Sequence, residues 1–517
     1  MRARVTIALM MRRTSRALVV AIALALPHIC APAAHGAPPQ TRDVLVVANN
    51  WDGTADVVDP HTFERLTRLN IIPDVQDRRT EILSDPLAAG FFTGVNLLIG
   101  EGHNQYVDDA FTSPDGRTLY VSRPSLVDLV AIDLGTRRIV WRAKLDGYRS
   151  DHMAISPDGR RLLVSASTAR KVQVIDTATG AITGEFASGD QPHENNFSPD
   201  GRLIYHASIG LVYTPADAPE LDALKGDRYF EIVDARTLQI LKRYDIGKVL
   251  AANGFPGYSS AVRPMALSPD GRFAYLQLSF LHGFVEFDLE RGIPLRIAKL
   301  PISPRAKLLP REAYVLDSAQ HGIAMNPAGT KLCVAGTMSD YAAIVHRDDF
   351  SYKIIDVGSR PYWSTNSADG QYCFVSVSGD DRVAVISYAE EAVVATIPVG
   401  DHPQRMRAGV MRAEYLPPVV DRVAPQITGA HVTRGVLSLR VSEDARVRAI
   451  VQRARGGRWR PVRTLHRAAV AGRLRVRLGT LRSAGRYRVV VSATDAAGNR
   501  SLSSLVRFQV THHGAGS

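Results

Sequence analysis

Cysteine is scarce: the 517-residue chain holds three, Cys30, Cys333 and Cys373. That excludes a disulfide-built scaffold, a zinc array and a multi-cluster iron–sulfur protein. There is no C-x-x-C-H segment for covalent haem, no phosphate loop, no His-Glu-x-x-His motif and no Ser-His-Asp order. After residue 37 no apolar run is long enough to cross a bilayer as a helix, so no transmembrane segment is expected. Lysine disappears altogether from residue 424 onward. What remains is 45% apolar and 22% charged, which rules out collagen-like and wholly disordered chains.

The first 37 residues hold five Arg and no acid, then the apolar stretch Leu18 to Leu26 and the small-residue tail APAAHGA. A charged start, a short apolar middle and an A-x-A-like end describe a removed signal peptide over 1–37. Arg12-Arg13 fits twin-arginine export poorly, and Ile29 before Cys30 argues against a lipidated cysteine. The expected location is secreted, extracellular or associated with the cell envelope.

The body repeats itself. SPDG occurs at Ser113, Ser156, Ser198 and Ser268, with degenerate copies NPAG at Asn326 and SADG at Ser367. Pro presets the first turn position and Asp-Gly makes a tight reversal, so each copy is a hairpin corner. Alternating strands follow, such as RLLVSAS from Arg161. A second echo, V-x-V-I-D and its relatives, ends at Asp59, Asp133, Asp176, Asp234, Asp288, Arg347 and Ser387. Seven echoes against six turns leave one repeat without its first strand. That strand reappears at the far end, where Gly400-Asp401-His402-Pro403 is followed by QRMRAGV. The expected fold is all-β: a seven-bladed β-propeller over 38–416, closed by pairing the N- and C-terminal strands. Closure removes exposed sheet edges.

Two segments carry a family resemblance: VSASTARKVQVIDTATGAITGEFASGDQPH from Val164 and VSVSGDDRVAVISYAEEAVVATIPVGDHPQ from Val375. They resemble the YVTN-type β-propeller repeats of bacterial surface and secreted proteins, over roughly residues 42–412. More distantly they are similar to the amine dehydrogenase heavy subunit and the haem d1 domain of nitrite reductase. The resemblance implies the fold and leaves function open, because propellers serve both as binding platforms and as enzymes.

Repeat spacing exposes four enlargements: about 16 extra residues near Ile209 to Arg228, and long connections after Asp59, Asp234 and Asp288. In a propeller these connections emerge on one face, and loops that long are commonly functional. Counting back four and five residues from each turn gives like positions on the innermost strands. They are Asp108/Asp109, Asp151/His152, His193/Glu194, Arg263/Pro264, His321/Gly322 and Tyr362/Trp363, with Gln404/Arg405 aligned through its Pro. These side chains are expected to ring one mouth of the channel. Asp108, Asp109, Asp151, His152, His193, Glu194 and His321 then form a candidate divalent-metal set, since imidazoles and carboxylates are its usual ligands. Arg263, Tyr362, Trp363 and Arg405 would face an anionic or aromatic ligand portion. The plainer reading is a polar, water-filled channel lining. Cys333 and Cys373 fall on second strands of neighbouring repeats. A sheet spacing of ~10 Å exceeds the ~7 Å Cα limit for a bridge, so free thiols are expected.

After a linker at 417–423, residues 424–511 show alternating strands and the turn Asp495-Ala496-Ala497-Gly498-Asn499, preceded by Tyr487. They resemble bacterial immunoglobulin-like or fibronectin-like sandwiches, with a flexible tail at 512–517. From Ala424 the chain carries 18 Arg against three acids, a net +15, whereas residues 38–423 carry about −8. Strand-spaced Arg such as Arg473-Arg475-Arg477 read as a surface for anionic cell-wall polymers or other polyanions; an arginine-favouring composition gives the same pattern. The leading expectation is therefore a monomeric binding or scaffold protein with an unidentified small ligand or protein partner at the mouth. The alternative is a secreted lyase, lactonase or amine-dehydrogenase-like oxidoreductase using a His/carboxylate metal site.

Overall fold

A computed structural model describes residues 40–212, 219–418, 424–481 and 483–511. The expected signal peptide with Cys30, most of the linker and the C-terminal tail lie outside the described residues.

The chain is β-propeller-like, a succession of four-stranded antiparallel sheets. Six run in simple order, the first of these using Asp109–Thr112, Thr118–Arg123, Asp128–Asp133 and Arg138–Lys144. A seventh joins distant parts of the chain: Thr41–Asn49, Thr54–Val58 and Arg65–Asn70 take Pro403–Arg412 as their fourth strand. Leu45 lies opposite Ala408, and Val47 opposite Met406. The innermost strands neighbour one another in turn, and Pro403–Arg412 touches both Pro361–Asn366 and Asp109–Thr112.

Local chemistry explains the hairpins. In the SPDG turns the Ser hydroxyl donates to the Asp two residues on, at 2.6 Å from Ser113 to Asp115, and accepts the Thr118 N–H at 2.9 Å. The turn glycine must be left-handed, and Gly116, Gly159, Gly201, Gly271, Gly329 and Gly370 have φ of 66–69°. The V-x-V-I-D carboxylates work similarly at the next corner: Asp133 accepts from the N–H groups of Gly135 and Thr136. Apolar residues of facing sheets fill the spaces between them, as Tyr120, Leu129 and Ala131 do against Leu162 and Val164.

The enlargements fold into short helices. The connection after Asp59 forms α1 (Val75–Leu83) and α2 (Pro86–Leu98), with Asp85 capping α2 through the N–H groups of Leu87 and Ala88. Those after Asp234 and Asp288 contribute α3 (Ile246–Ala252) and α4 (Pro304–Lys307). The C-terminal module has a three-stranded and a four-stranded antiparallel sheet sharing a core that includes Leu437, Val447, Val476, Tyr487 and Val489.

One expectation is corrected. Cys333 and Cys373 form a disulfide, with Cα atoms 6.5 Å apart. The ~10 Å spacing is typical of sheets packed face to face, but these two strands approach more closely where the cysteines stand, within a buried cluster that also holds Ala335, Ala342 and Ala384. The bridge closes a loop of 40 residues. Peptide mapping without reductant should therefore recover a linked Cys333–Cys373 pair. Replacing both by Ala should lower the unfolding free energy by about 2–4 kcal/mol. Two titratable thiols in the native protein would contradict the bridge.

Candidate functional site

Each mouth residue sits at or beside the start of an innermost strand, and these strands are irregular there. The pairing register slips between Ser150 and Met153, Pro192 and Asn195, Val262 and Met265, and Pro361 and Trp363. In a regular strand, consecutive side chains point to opposite faces. A bulge re-aims them. Thus His193 and Glu194, although adjacent, both meet His152: the His193 ring centroid is 3.6 Å from that of His152, and Glu194 Oε2 is 3.0 Å from its Nδ1. His206 braces this bulge from the second strand. Its Nδ1 donates to the Glu194 carbonyl at 3.0 Å and to Asn195 Oδ1 at 2.9 Å, so Nε2 accepts from Ser188 at 2.7 Å.

Three imidazoles converge. His152, His193 and His321 each present a ring nitrogen within 4.8 Å of the others, and Asp108, Asp151 and His152 form a second such group. All are buried. Nδ1 of His193 makes no hydrogen bond, and His321 has only loose backbone contacts that fall short of hydrogen-bond geometry. His321 also stacks on Tyr362, with centroids 4.1 Å apart. Burial holds all three imidazoles well below the usual pKa, helped by Arg405 at His152 and by Arg263 at His193 and His321. They are neutral at pH 7, the form that ligates metals.

The charged residues interlock. Arg405 presses against the His152 ring, lies 3.1 Å from Glu194 and 3.4 Å from Asp108, and covers Trp363 at 3.9 Å. It therefore lies among the carboxylates rather than opposite them. Asp109 is clamped by both arms of Arg407, at 2.8 and 2.6 Å, and stays outside the imidazole cluster. Burial opposes its ionisation, but Arg407 outweighs burial and holds its pKa low. Burial raises Glu194 against the pull of Arg405, and pushes Asp108 up to about 8 despite Arg405. Asp151 pairs with Arg149, which also donates to Gln105 at 3.1 Å. Arg263 donates to Ser318. Arg149, Gln105 and Arg407 escaped the repeat alignment because they stand outside the aligned pairs. Only their side-chain chemistry next to Asp151 and Asp109 would have flagged them.

The enlargements roof this cluster. Ile99 follows α2, Ile209 and Val212 come from the insertion after Leu203–Ser208, and Leu316 from the connection after α4. Together they line a chamber with Asp108, Asp151, His152, His193, Arg263 and Tyr362. Lys225 and Asp317, an ion pair, join two of these loops. The chamber has about 20 Å³ free, room for one water-sized occupant.

No family model matches the chain, and no curated protein is similar to it in sequence. Among solved structures 1210 chains match. One is the Kuenenia stuttgartiensis hydrazine synthase, 16% identical, with a TM-score of 0.46, covering 60% of this chain and 96% of that one. Nothing about activity follows from that likeness.

The neutral buried imidazoles give a pH test. His206, wholly buried, has its pKa lowered to about 3 by burial, against an ordinary 6.5. A base with a depressed native pKa stabilises the fold fully above the unfolded value, and that contribution is lost as pH falls from 6.5 toward 3. At pH 5 the loss from His206 alone is about 2 kcal/mol. His206→Gln should accordingly lose about 2 kcal/mol less than the wild type in denaturant titrations between pH 7.5 and 5. Parallel pH profiles would show that His206 is not held neutral.

Proposed function

We propose that the protein is an exported, seven-bladed propeller of the YVTN-repeat type whose roofed mouth binds a small ligand at a divalent transition metal. His152, His193 and His321 would hold the ion, with Asp108 or Asp151 completing the set. The observation that carries this reading is the convergence of three buried, neutral imidazoles, two of them with an unbonded Nδ1, of which His152 and His193 line a chamber sized for a single small occupant. Nitrogen-rich donor sets favour zinc, copper, iron or nickel over calcium or magnesium. Pairing of Thr41–Asn49 with Pro403–Arg412 supports ring closure, and the Cys333–Cys373 bridge supports an oxidising compartment. A macromolecular partner could not grip side chains this deeply enclosed, so the mouth suits a small molecule.

A second reading, an enzyme, is favoured by the His152–Glu194 contact at 3.0 Å. A carboxylate that orients an imidazole inside a water-poor chamber is the usual arrangement for proton transfer. Lyase or lactonase chemistry would use it. For residues 424–511 we propose an immunoglobulin- or fibronectin-like tether. Support comes from the Tyr487 hydroxyl, which donates to the Ser483 carbonyl at 2.7 Å as in a tyrosine corner. Support also comes from a groove of about 1030 Å³ lined by Arg453, Arg455, Arg458, Arg460 and Arg463.

Two measurements test these assignments. Metal-stripped protein titrated with Co²⁺ should bind one equivalent. The His152→Ala/His193→Ala double variant should lose at least 100-fold in affinity, with the melting curve of the metal-free protein nearly unchanged. Undiminished Co²⁺ binding would leave these residues as a polar lining. Full-length protein should bind polyphosphate with an affinity that falls as about the third power of salt concentration. Salt-insensitive binding would remove the electrostatic tether.

A further inference from the structure

α2 is unusual for a helix on the outside of a fold. Its sequence, PLAAGFFTGVNLL, has no charge, and only Val95 is buried. Leu87 and Leu97 are 57% and 64% exposed. One face carries Leu87, Gly90, Phe91, Gly94 and Leu98 at three- and four-residue spacing, and Phe91 stacks on Tyr148 with centroids 4.3 Å apart. Under this face lies an apolar cavity of about 300 Å³, whose polar lining comes from Arg149 and Thr168.

The cavity adjoins the mouth. Ile99 and Arg149 line both it and the imidazole chamber, so the two spaces share a wall. Arg149 is 8% exposed and pairs with Asp151, a member of the second ligand group. Gly90 and Gly94 keep the space open: a Cβ at either would meet no atom within 4 Å. Interior glycines weaken a helix, and no close backbone approach requires them here.

We infer that this cavity is an antechamber of the imidazole site and takes a small molecule with an apolar body and one anionic, hydrogen-bond-accepting end. Its volume is at the lower end of ligand cavities, and its lining is apolar with few polar groups, as such cavities are. A guanidinium has only donors, so the polar end must accept. A ligand end at Arg149 would compete with Asp151 and so act on the chamber beyond. The cavity stands on its own geometry, whereas its link to the imidazoles rests on the function proposed above.

The test uses full-length protein and two fluorescent probes, anionic 1-anilinonaphthalene-8-sulfonate and its uncharged counterpart N-phenyl-1-naphthylamine. Gly94→Leu, whose Cβ meets no atom and whose side chain would occupy the cavity, should weaken both probes at least tenfold while Co²⁺ affinity stays within twofold of wild type. Arg149→Gln should weaken the sulfonate at least fivefold relative to the uncharged probe. Sulfonate binding that is absent, or equal in wild type and Gly94→Leu, would overturn the antechamber. So would sedimentation of the wild type with phosphatidylglycerol vesicles that abolishes probe binding, since α2 would then be a membrane-contact helix. Probe results as expected in a protein that binds no Co²⁺ would uphold the cavity and overturn the metal reading alone.

Discussion

The pairing of Pro403–Arg412 with Thr41–Asn49 governs the site as well as the fold. It carries Arg405 and Arg407 to Asp108, Asp109 and Glu194, residues 211 to 298 positions away in the chain. Without that strand two buried carboxylates, Asp109 and Glu194, would lose their guanidinium partners. Removing one partner of a buried ion pair costs about 3–5 kcal/mol. The strand that completes the sheet therefore also makes the mouth electrostatically tolerable, and fold and site cannot be separated by deleting it.

Such burial is poor economy for stability alone. Paired ions in an interior gain little over apolar residues of the same volume, and perturbed titratable groups gather where chemistry is done. A water-filled channel would have left these side chains hydrated and near their ordinary protonation. Here Ile99, Ile209, Val212 and Leu316 close over them. Burial, helped by nearby guanidinium groups, holds the three imidazoles neutral.

Much of this was legible because turns are local. The SPDG and V-x-V-I-D signals depend on contacts within five residues, so they mark hairpins whatever the chain does elsewhere. Counting back four and five residues from the turns singled out His152, His193 and His321, and the structure brings a ring nitrogen of each within 4.8 Å of the others. The bulges that aim His193 and Glu194 at one imidazole were not legible, since period-two alternation assumes a regular ladder. Nor was the Cys333–Cys373 bridge, which depends on two strands approaching more closely than the usual face-to-face spacing. Arg149 and Arg407 are aligned with nothing. Their roles emerge only when Asp151 and Asp109 are placed beside them.

The enclosure also constrains how anything enters. A chamber with about 20 Å³ free admits a ligand only if part of its wall moves. The Lys225–Asp317 pair, both side chains buried, ties the insertion after Leu203–Ser208 to the connection after α4 and resists opening on that side. α2 has no such tie. One of its residues is buried, and Phe91 on Tyr148 is an aromatic contact worth about 1 kcal/mol. Opening should therefore begin where Ile99 and Arg149 form the wall, on the side of the apolar cavity. An apolar molecule lodged there replaces solvent against α2 and presents its polar end to Arg149. The weakest part of the roof is thus also the part with a recognition element, which is the arrangement an entry route requires.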